Sequence, residues 1–247
     1  MTNSNSKKVI VGLGQTGLSC ARFLAGRKES FTVVDSRQSP PGLEELQALY
    51  PQIPVELGEF NEQTFMGADE LIVSPGVDLR ISVIQKAIAN GVRIRGDVDL
   101  FARQVKQPLV AVTGSNAKST VVTLVGEMAR QSGVNVAVAG NIGTPVLDLL
   151  NGGDEDIYVL ELSSFQLETT TTLGAEVATV LNMSADHLDR YESMQAYHRA
   201  KHRIFQGCKQ VVINRDDALS APLLPPHVKR WSFGLSVPDF NEFGLLS

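Results

Sequence analysis

A lysine and two hydroxyl residues, Lys118-Ser-Thr120, close a run of small side chains, Thr113-Gly-Ser-Asn-Ala117, that follows directly on the apolar segment Leu109–Val112. That order predicts a strand, a phosphate-binding loop and a helix. The first backbone N–H groups of a helix lack partners and lie at the positive end of its dipole, so an anion is favoured there. Gly114, Ser115 and Ala117 are small enough to let the backbone close on a polyphosphate, Lys118 offers a point charge to its terminal groups, and Ser119 offers a hydroxyl oxygen to Mg²⁺. The run departs from the general P-loop pattern at Val112 and Ala117, where that pattern has glycine. An ordinary strand-to-helix turn that happens to carry a lysine explains the coincidence of all three features less well.

Two further groups could share that chemistry. Glu161 ends the apolar run Ile157–Leu160, and a carboxylate straight after a core strand is where nucleotide-hydrolysing proteins hold Mg²⁺. Alone, such a glutamate is more often a solvated or capping residue. His187 lies between Asp186 and Asp189 after the run Val177–Leu181, which makes it a candidate metal or substrate contact. His198, His202 and His227 have no such company and read as surface or packing residues, and Lys201, in the helical stretch Met194–Phe205, is by itself an ordinary helix lysine.

A separate phosphate signal stands near the N-terminus. Gly12-Leu-Gly-Gln-Thr-Gly17 follows the strand candidate Lys8–Val11 and leads into a helix with Leu18, Ala21, Leu24 and Ala25 on one face. A second strand, Phe31–Val34, ends in Asp35, close to the offset at which an acidic residue meets a ribose in nicotinamide enzymes. These residues alone suit a nicotinamide-dependent oxidoreductase; the glycines specify only a diphosphate on a helix N-terminus. Further along, Leu71–Val73 is a buried-strand candidate that delivers Ser74 to a sheet's carboxyl edge.

The elements needed to position these groups alternate strand and helix, so the fold class is α/β. The 247 residues suit two domains, with a boundary near Gly96: residues 1–96 form a Rossmann-like unit and residues 97–247 a P-loop ATPase-like unit. A helix over Val98–Val105 and a strand over Val134–Val138 are predicted within the second. Apolar residues make up 43% and charged residues 20% of the chain, which provides for an ordinary core. A net charge of −5 argues against general nucleic-acid or anionic-membrane binding, and no apolar run is long enough for a membrane span. With a polar N-terminus, the expected location is the cytoplasm. Cys20 and Cys208 belong to no paired motif and read as buried thiols.

Taken in order, Gly12–Cys20, Asp35-Ser-Arg37, Ser74-Pro-Gly76, Thr113–Thr120, Gly140-Asn-Ile-Gly143, Glu161–Glu168, Asp186–Tyr191 and Arg199-Ala-Lys201 resemble the Mur ligases of peptidoglycan synthesis, and among them those that add D-glutamate. The resemblance covers the whole chain. It implies an N-terminal domain that holds the UDP part of UDP-N-acetylmuramoyl-L-alanine, with Gln15 and Thr16 near the diphosphate, Asp35 and Ser36 near the uracil, and Ser74 nearby. It implies ATP phosphates on Gly114, Ser115, Asn116, Ala117, Lys118, Ser119 and Thr120, one Mg²⁺ near Ser119 and Glu161, and a second near His187. Asn141 and Gln166 then face the UDP-sugar, and Lys201 occupies the position that the family carbamylates to make an anionic metal ligand. The catalytic set on this reading is Lys118, Glu161, His187 and Lys201, in a monomer. Ala117 stands where the family usually has glycine, and is expected to admit phosphate provided that its φ is negative. The family also has a C-terminal domain bearing the amino-acid site and part of the nucleotide site, whereas this chain ends at Ser247, so a fragment that binds the UDP precursor without completing ligation is expected. The rival readings are the nicotinamide oxidoreductase and a non-catalytic nucleotide-binding module; the first leaves Lys118, Glu161 and His187 without work.

Overall fold

The computed structural model describes residues 6–246. It is an α/β protein of two compact units, one up to Leu100 and one from Phe101 onward. The first unit runs β1 (Lys8–Val11), α1 (Gln15–Gly26), β2 (Phe31–Asp35), α2 (Leu43–Leu49), β3 (Val55–Leu57), α3 (Glu62–Met66), β4 (Glu70–Val73), α4 (Ser82–Ala89), β5 (Arg93–Arg95) and α5 (Asp97–Ala102), in which the division falls.

Its five strands lie in the order β3-β2-β1-β4-β5, and every pair is parallel. A parallel sheet covered on both faces calls for strands that are apolar throughout. Ile10, Val11, Val33, Val34, Leu71 and Ile72 are accordingly buried, and Phe65, Ile84 and Ala87 from the helices pack in one cluster with Val11, Val34 and Leu71. The strand order reverses between β1 and β4, where Val11 pairs with Val73, so a crevice opens beyond the carboxyl ends of these two strands. Gly12, at the mouth of that crevice, has φ +94°, and a Cβ on Gly17 would overlap the Gly12 carbonyl oxygen. Both positions therefore require glycine.

The second unit continues β6 (Leu109–Thr113), α6 (Lys118–Gln131), β7 (Val136–Gly140), β8 (Ile157–Glu161), α7 (Ser164–Glu168), β9 (Val177–Val180), α8 (Met194–His202), β10 (Gln210–Asn214), β11 (Lys229–Phe233) and β12 (Glu242–Phe243). The sheet order is β12-β11-β10-β9-β6-β8-β7, again parallel throughout. β6 is thus an interior strand, between β8 and β9. Register places Val112 beside Glu161 and Thr113 beside Val180, which sets the small-residue loop, Glu161 and the segment after β9 at one edge.

Some boundaries differ from those expected. The strand predicted over Val134–Val138 starts at Val136, because the Val134 N–H closes the end of α6 by donating to the Ala129 carbonyl. The helix predicted over Val98–Val105 is Asp97–Ala102 and ends in a turn closed by Phe101. Cys20 and Cys208 are buried thiols and form no disulfide. Among the described residues no helix is long and apolar enough to cross a membrane.

Candidate functional site

In the first unit, Gln15, Thr16, Asp35, Ser36 and Ser74 line one crevice of about 540 Å³, together with Arg37, Phe60 and Asp78. α1 begins here without a side-chain cap, so its first N–H groups are left for a ligand. Ser74 Oγ donates to the Gly12 carbonyl at 2.9 Å and braces the glycine turn.

Asp35 is used differently from a ribose-binding acid. Its Oδ2 accepts from the Leu13 N–H (2.7 Å) and from the Arg37 guanidinium (2.7 Å), and its Oδ1 accepts from Arg37 N (2.9 Å) and Nε (2.8 Å). A carboxylate has about four acceptor positions, and all are taken. Burial alone would push the carboxyl up; the Arg37 side chain and the Leu13 and Arg37 backbone outweigh it and hold it below the usual range. Asp35 therefore shapes the crevice, and the group it holds there is Arg37, 53% exposed. Arg37 belongs to the Asp35-Ser-Arg37 signature without being one of its expected contacts, and an acid with an arginine two residues on is the sequence signal for it.

Asp35→Ala strands the N–H of fully buried Leu13, and should destabilise the first unit by about 1–3 kcal/mol in urea denaturation. The sign with pH follows from the lowered pKa. The carboxylate's contribution is present above the unfolded-state value of 3.8 and is lost as pH falls through the lower folded-state value, so the gap between wild type and variant should hold above about pH 5 and shrink in acid.

In the second unit three motifs form one network. Ser119 Oγ donates to Glu161 Oε2 at 2.7 Å, Asn141 Nδ2 donates to Glu161 Oε1 at 3.0 Å, and the Asn141 N–H donates to the Glu161 carbonyl at 2.8 Å. The close approach of β7 and β8 here depends on Gly140, φ +115°, where a Cβ would overlap the Glu161 carbonyl oxygen. Lys118 Nζ donates back to the Ser115 carbonyl at 3.2 Å, while Thr120 lies exposed on the first turn of α6.

Lys201 reaches the underside of the same loop. It is 2% exposed, and its Nζ donates to the Gly114 carbonyl (2.9 Å) and to Thr113 Oγ1 (3.2 Å), which in turn donates to the Leu162 carbonyl (2.6 Å). Burial and the nearby Lys118 charge lower its pKa to about 7, against the opposing pull of Asp186 and Glu161. Nothing in the local sequence marks this lysine; it is exceptional only because helix α8 carries it beneath the loop.

Gln166 and His187 differ in how far they are buried. Gln166 is 3% exposed, and its Oε1 accepts from the Ser163 N–H (3.1 Å) and Oγ (3.2 Å) in a capping box that starts α7. His187 has φ +52° and is exposed, with Nε2 3.5 Å from the Asp186 carboxylate and its ring centroid 4.8 Å from that of Phe165. Tyr197 stands between it and Lys201: its ring centroid is 6.3 Å from His187 and 4.9 Å from Lys201 Nζ. His198 and His202 stack on each other, ring centroids 3.7 Å apart, and His227 is exposed.

Ala117 overturns the condition attached to it. Its φ is +64°, in the left-handed region, not negative. A Cβ there costs roughly 1–2 kcal/mol that glycine avoids.

The oxygens of Ser119 and Glu161 fit one Mg²⁺, a hard cation that takes one or two carboxylates and completes its shell with phosphate oxygens and waters. No group of three or more His, Cys, Asp or Glu able to hold a metal occurs among the described residues. Lys201 as an ammonium is a donor only and cannot ligate a metal.

Comparison with known proteins agrees with both units. Residues 6–96 match the family model described as "Mur ligase MurD-like, N-terminal domain", and residues 112–242 match "Mur ligase middle domain". The chain is 58% identical over 243 residues to the UDP-N-acetylmuramoylalanine–D-glutamate ligase of Pseudomonas aeruginosa, covering 98% of this chain and 54% of that one. It is 56% identical to the protein of that name from Marinobacter nauticus, covering 94% and 52%. It thus spans about half the length of these curated relatives. Among solved structures, the fold is shared with a UDP-N-acetylmuramate:L-alanyl-γ-D-glutamyl-meso-diaminopimelate ligase from Neisseria meningitides (TM-score 0.57, 14% identity, 92% of this chain and 78% of that one). It is also shared with a UDP-N-acetylmuramate–alanine ligase from Thermotoga maritima (TM-score 0.51, 21% identity, 94% and 53%).

Proposed function

This chain belongs to the Mur ligase family, and on that premise we propose that it supplies the UDP-precursor and ATP sites of a ligase joining D-glutamate to UDP-N-acetylmuramoyl-L-alanine. The observation that carries this reading is the convergence of Lys118, the Ser119–Glu161 pair, Asn141 and Lys201 on one loop at the edge of β6 and β8. A nicotinamide enzyme has no use for that set. The same reading makes the protein a cytoplasmic monomer, acting where ATP and UDP-linked precursors are found.

The chemistry is two substitutions. An oxygen of the precursor's L-alanine carboxylate attacks the γ-phosphorus of ATP; the acyl phosphate forms and ADP leaves. The D-glutamate amine then attacks the acyl carbon, loses a proton, and inorganic phosphate leaves. Lys118, released from the Ser115 carbonyl, faces the charge on the transferring phosphoryl group. The N–H groups that open α6 hold the other phosphate oxygens, and Asn141 fixes the Glu161 carboxylate at the angle that Ser119 shares. Mg²⁺ held by Ser119 and Glu161, with a second ion toward His187 and a carbamylated Lys201, would neutralise phosphate charge. In the first unit, Gln15 and Thr16 at the start of α1 receive the diphosphate, and Ser36 with the Asp35–Arg37 pair receives the uracil end.

Calorimetry on residues 1–247 with UDP-N-acetylmuramoyl-L-alanine and, separately, NADH tests the reading. Saturable binding of the UDP precursor alone is expected, because the crevice lies wholly within the first unit. Micromolar NADH binding with no response to the precursor would sink it.

A further inference from the structure

Ala117 is held in a backbone conformation that its own side chain disfavours, and the restraint comes from another segment of the sheet edge. Asn182 follows β9, the strand beside β6. Its Oδ1 accepts from the Asn116 N–H at 2.8 Å, and its Nδ2 donates to the Asn116 carbonyl at 3.1 Å. Its own carbonyl accepts from the Ser115 N–H at 3.0 Å. Both backbone groups of the residue before Ala117 are therefore fixed by a single carboxamide, in the pattern of a paired strand.

We propose that Asn182 is a positioning residue that clamps the phosphate loop in its left-handed turn, doing from outside what glycine at position 117 would do from within. The proposal rests on the ATP-site reading above. Only a carboxamide of this length offers a donor and an acceptor side by side: aspartate offers acceptors alone, leucine neither, and glutamine reaches one bond too far. Ser115 is tied separately, its Oγ accepting from the Ser184 N–H at 3.0 Å and lying 3.2 Å from the Tyr197 hydroxyl, so the clamp acts specifically on the peptide groups that flank Asn116 and lead into Ala117. Because Asn116 is exposed and Asn182 half-buried, the clamp governs the shape of the loop more than the stability of the unit.

The test is a double-variant cycle with two readouts, hydrogen exchange on residues 1–247 and Mg·ATP titration on protein of the relatives' full length. Hydrogen exchange on the unliganded protein should show the Asn116 amide losing about tenfold protection in Asn182→Ala, with the melting temperature of the unit nearly unchanged. Mg·ATP titration should show about tenfold weaker binding in Asn182→Ala, most of it recovered on adding Ala117→Gly, since glycine enters the left-handed region unaided. Recovery by glycine separates a clamp from a hydrogen bond that merely adds stability, which a substitution at 117 would not replace. Unchanged Asn116 exchange in Asn182→Ala, or a loss of ATP affinity that Ala117→Gly leaves in place, overturns the clamp. Wild-type protein that binds no Mg·ATP but shows the expected exchange change overturns the ATP reading and leaves the clamp standing.

Discussion

Lys118→Ala, in protein of the relatives' full length, is expected to lower ATP-, Mg²⁺- and D-glutamate-dependent phosphate release by about 10²–10³-fold, the usual cost of removing one preorganised group that meets transition-state charge. Lys118 rests on the Ser115 carbonyl at 3.2 Å, a neutral partner it can give up to a phosphate. Its loss leaves the fold untouched, because the side chain is only half-buried and makes no ion pair among the described contacts. Melting should therefore match wild type while turnover collapses. Formate or acetate should not help, since an anion cannot replace a phosphate-facing cation. Activity within a fewfold of wild type would remove Lys118 from the reaction.

Lys201→Ala should also reduce turnover, by an expected ~10²-fold, with partial recovery in short carboxylic acids. Addition of CO₂ forms a bond from Nζ to carbon and releases a proton, so it requires the neutral amine. A pKa lowered to about 7 makes that form abundant near neutrality, whereas a lysine at its ordinary value would hold almost none. The product keeps one N–H for the Gly114 carbonyl and gains an anionic oxygen pair that can serve Mg²⁺. Modification should accordingly rise with bicarbonate and as pH climbs through about 7, read by mass spectrometry of the intact protein. Undiminished turnover in Lys201→Ala would remove this role. Loss without rescue by any carboxylic acid would leave Lys201 as a support for Gly114 and Thr113 alone.

The two cases differ in how much the sequence discloses. Lys118 is legible because strand, small-residue loop and lysine are neighbours in the chain, and short-range sterics and helix-start electrostatics act over a few residues. The glycine turn before α1 is legible for the same reason, as are the buried parallel strands Ile10–Val11 and Ile157–Leu160. Strands β11 and β12 are not legible in this way. They lie toward one edge of their sheet, with Lys229, Arg230 and Phe243 exposed, so neither carries the apolar run that marks a buried strand.

Local sequence suffices for an α/β chain with two phosphate-type turns, each on its own strand and helix, and for the residue types able to bind a nucleotide and Mg²⁺. Which of those residues meet depends on strand pairing and helix packing. Glu161 joins Ser119 because β8 pairs with β6 in a register that sets Val112 against Glu161. Lys201 lies under Gly114 because α8 packs back beneath the loop. Asp35 is saturated by Leu13 and Arg37, and the Gln166 Oε1 closes a helix cap. The left-handed φ of Ala117 is the sharpest instance: an alanine's local preference points to negative φ, and partners from β9 onward, more than sixty residues away, reverse it. Local preference is a matter of about a kilocalorie per residue, so pairings between distant strands, which no window of sequence contains, have the final say.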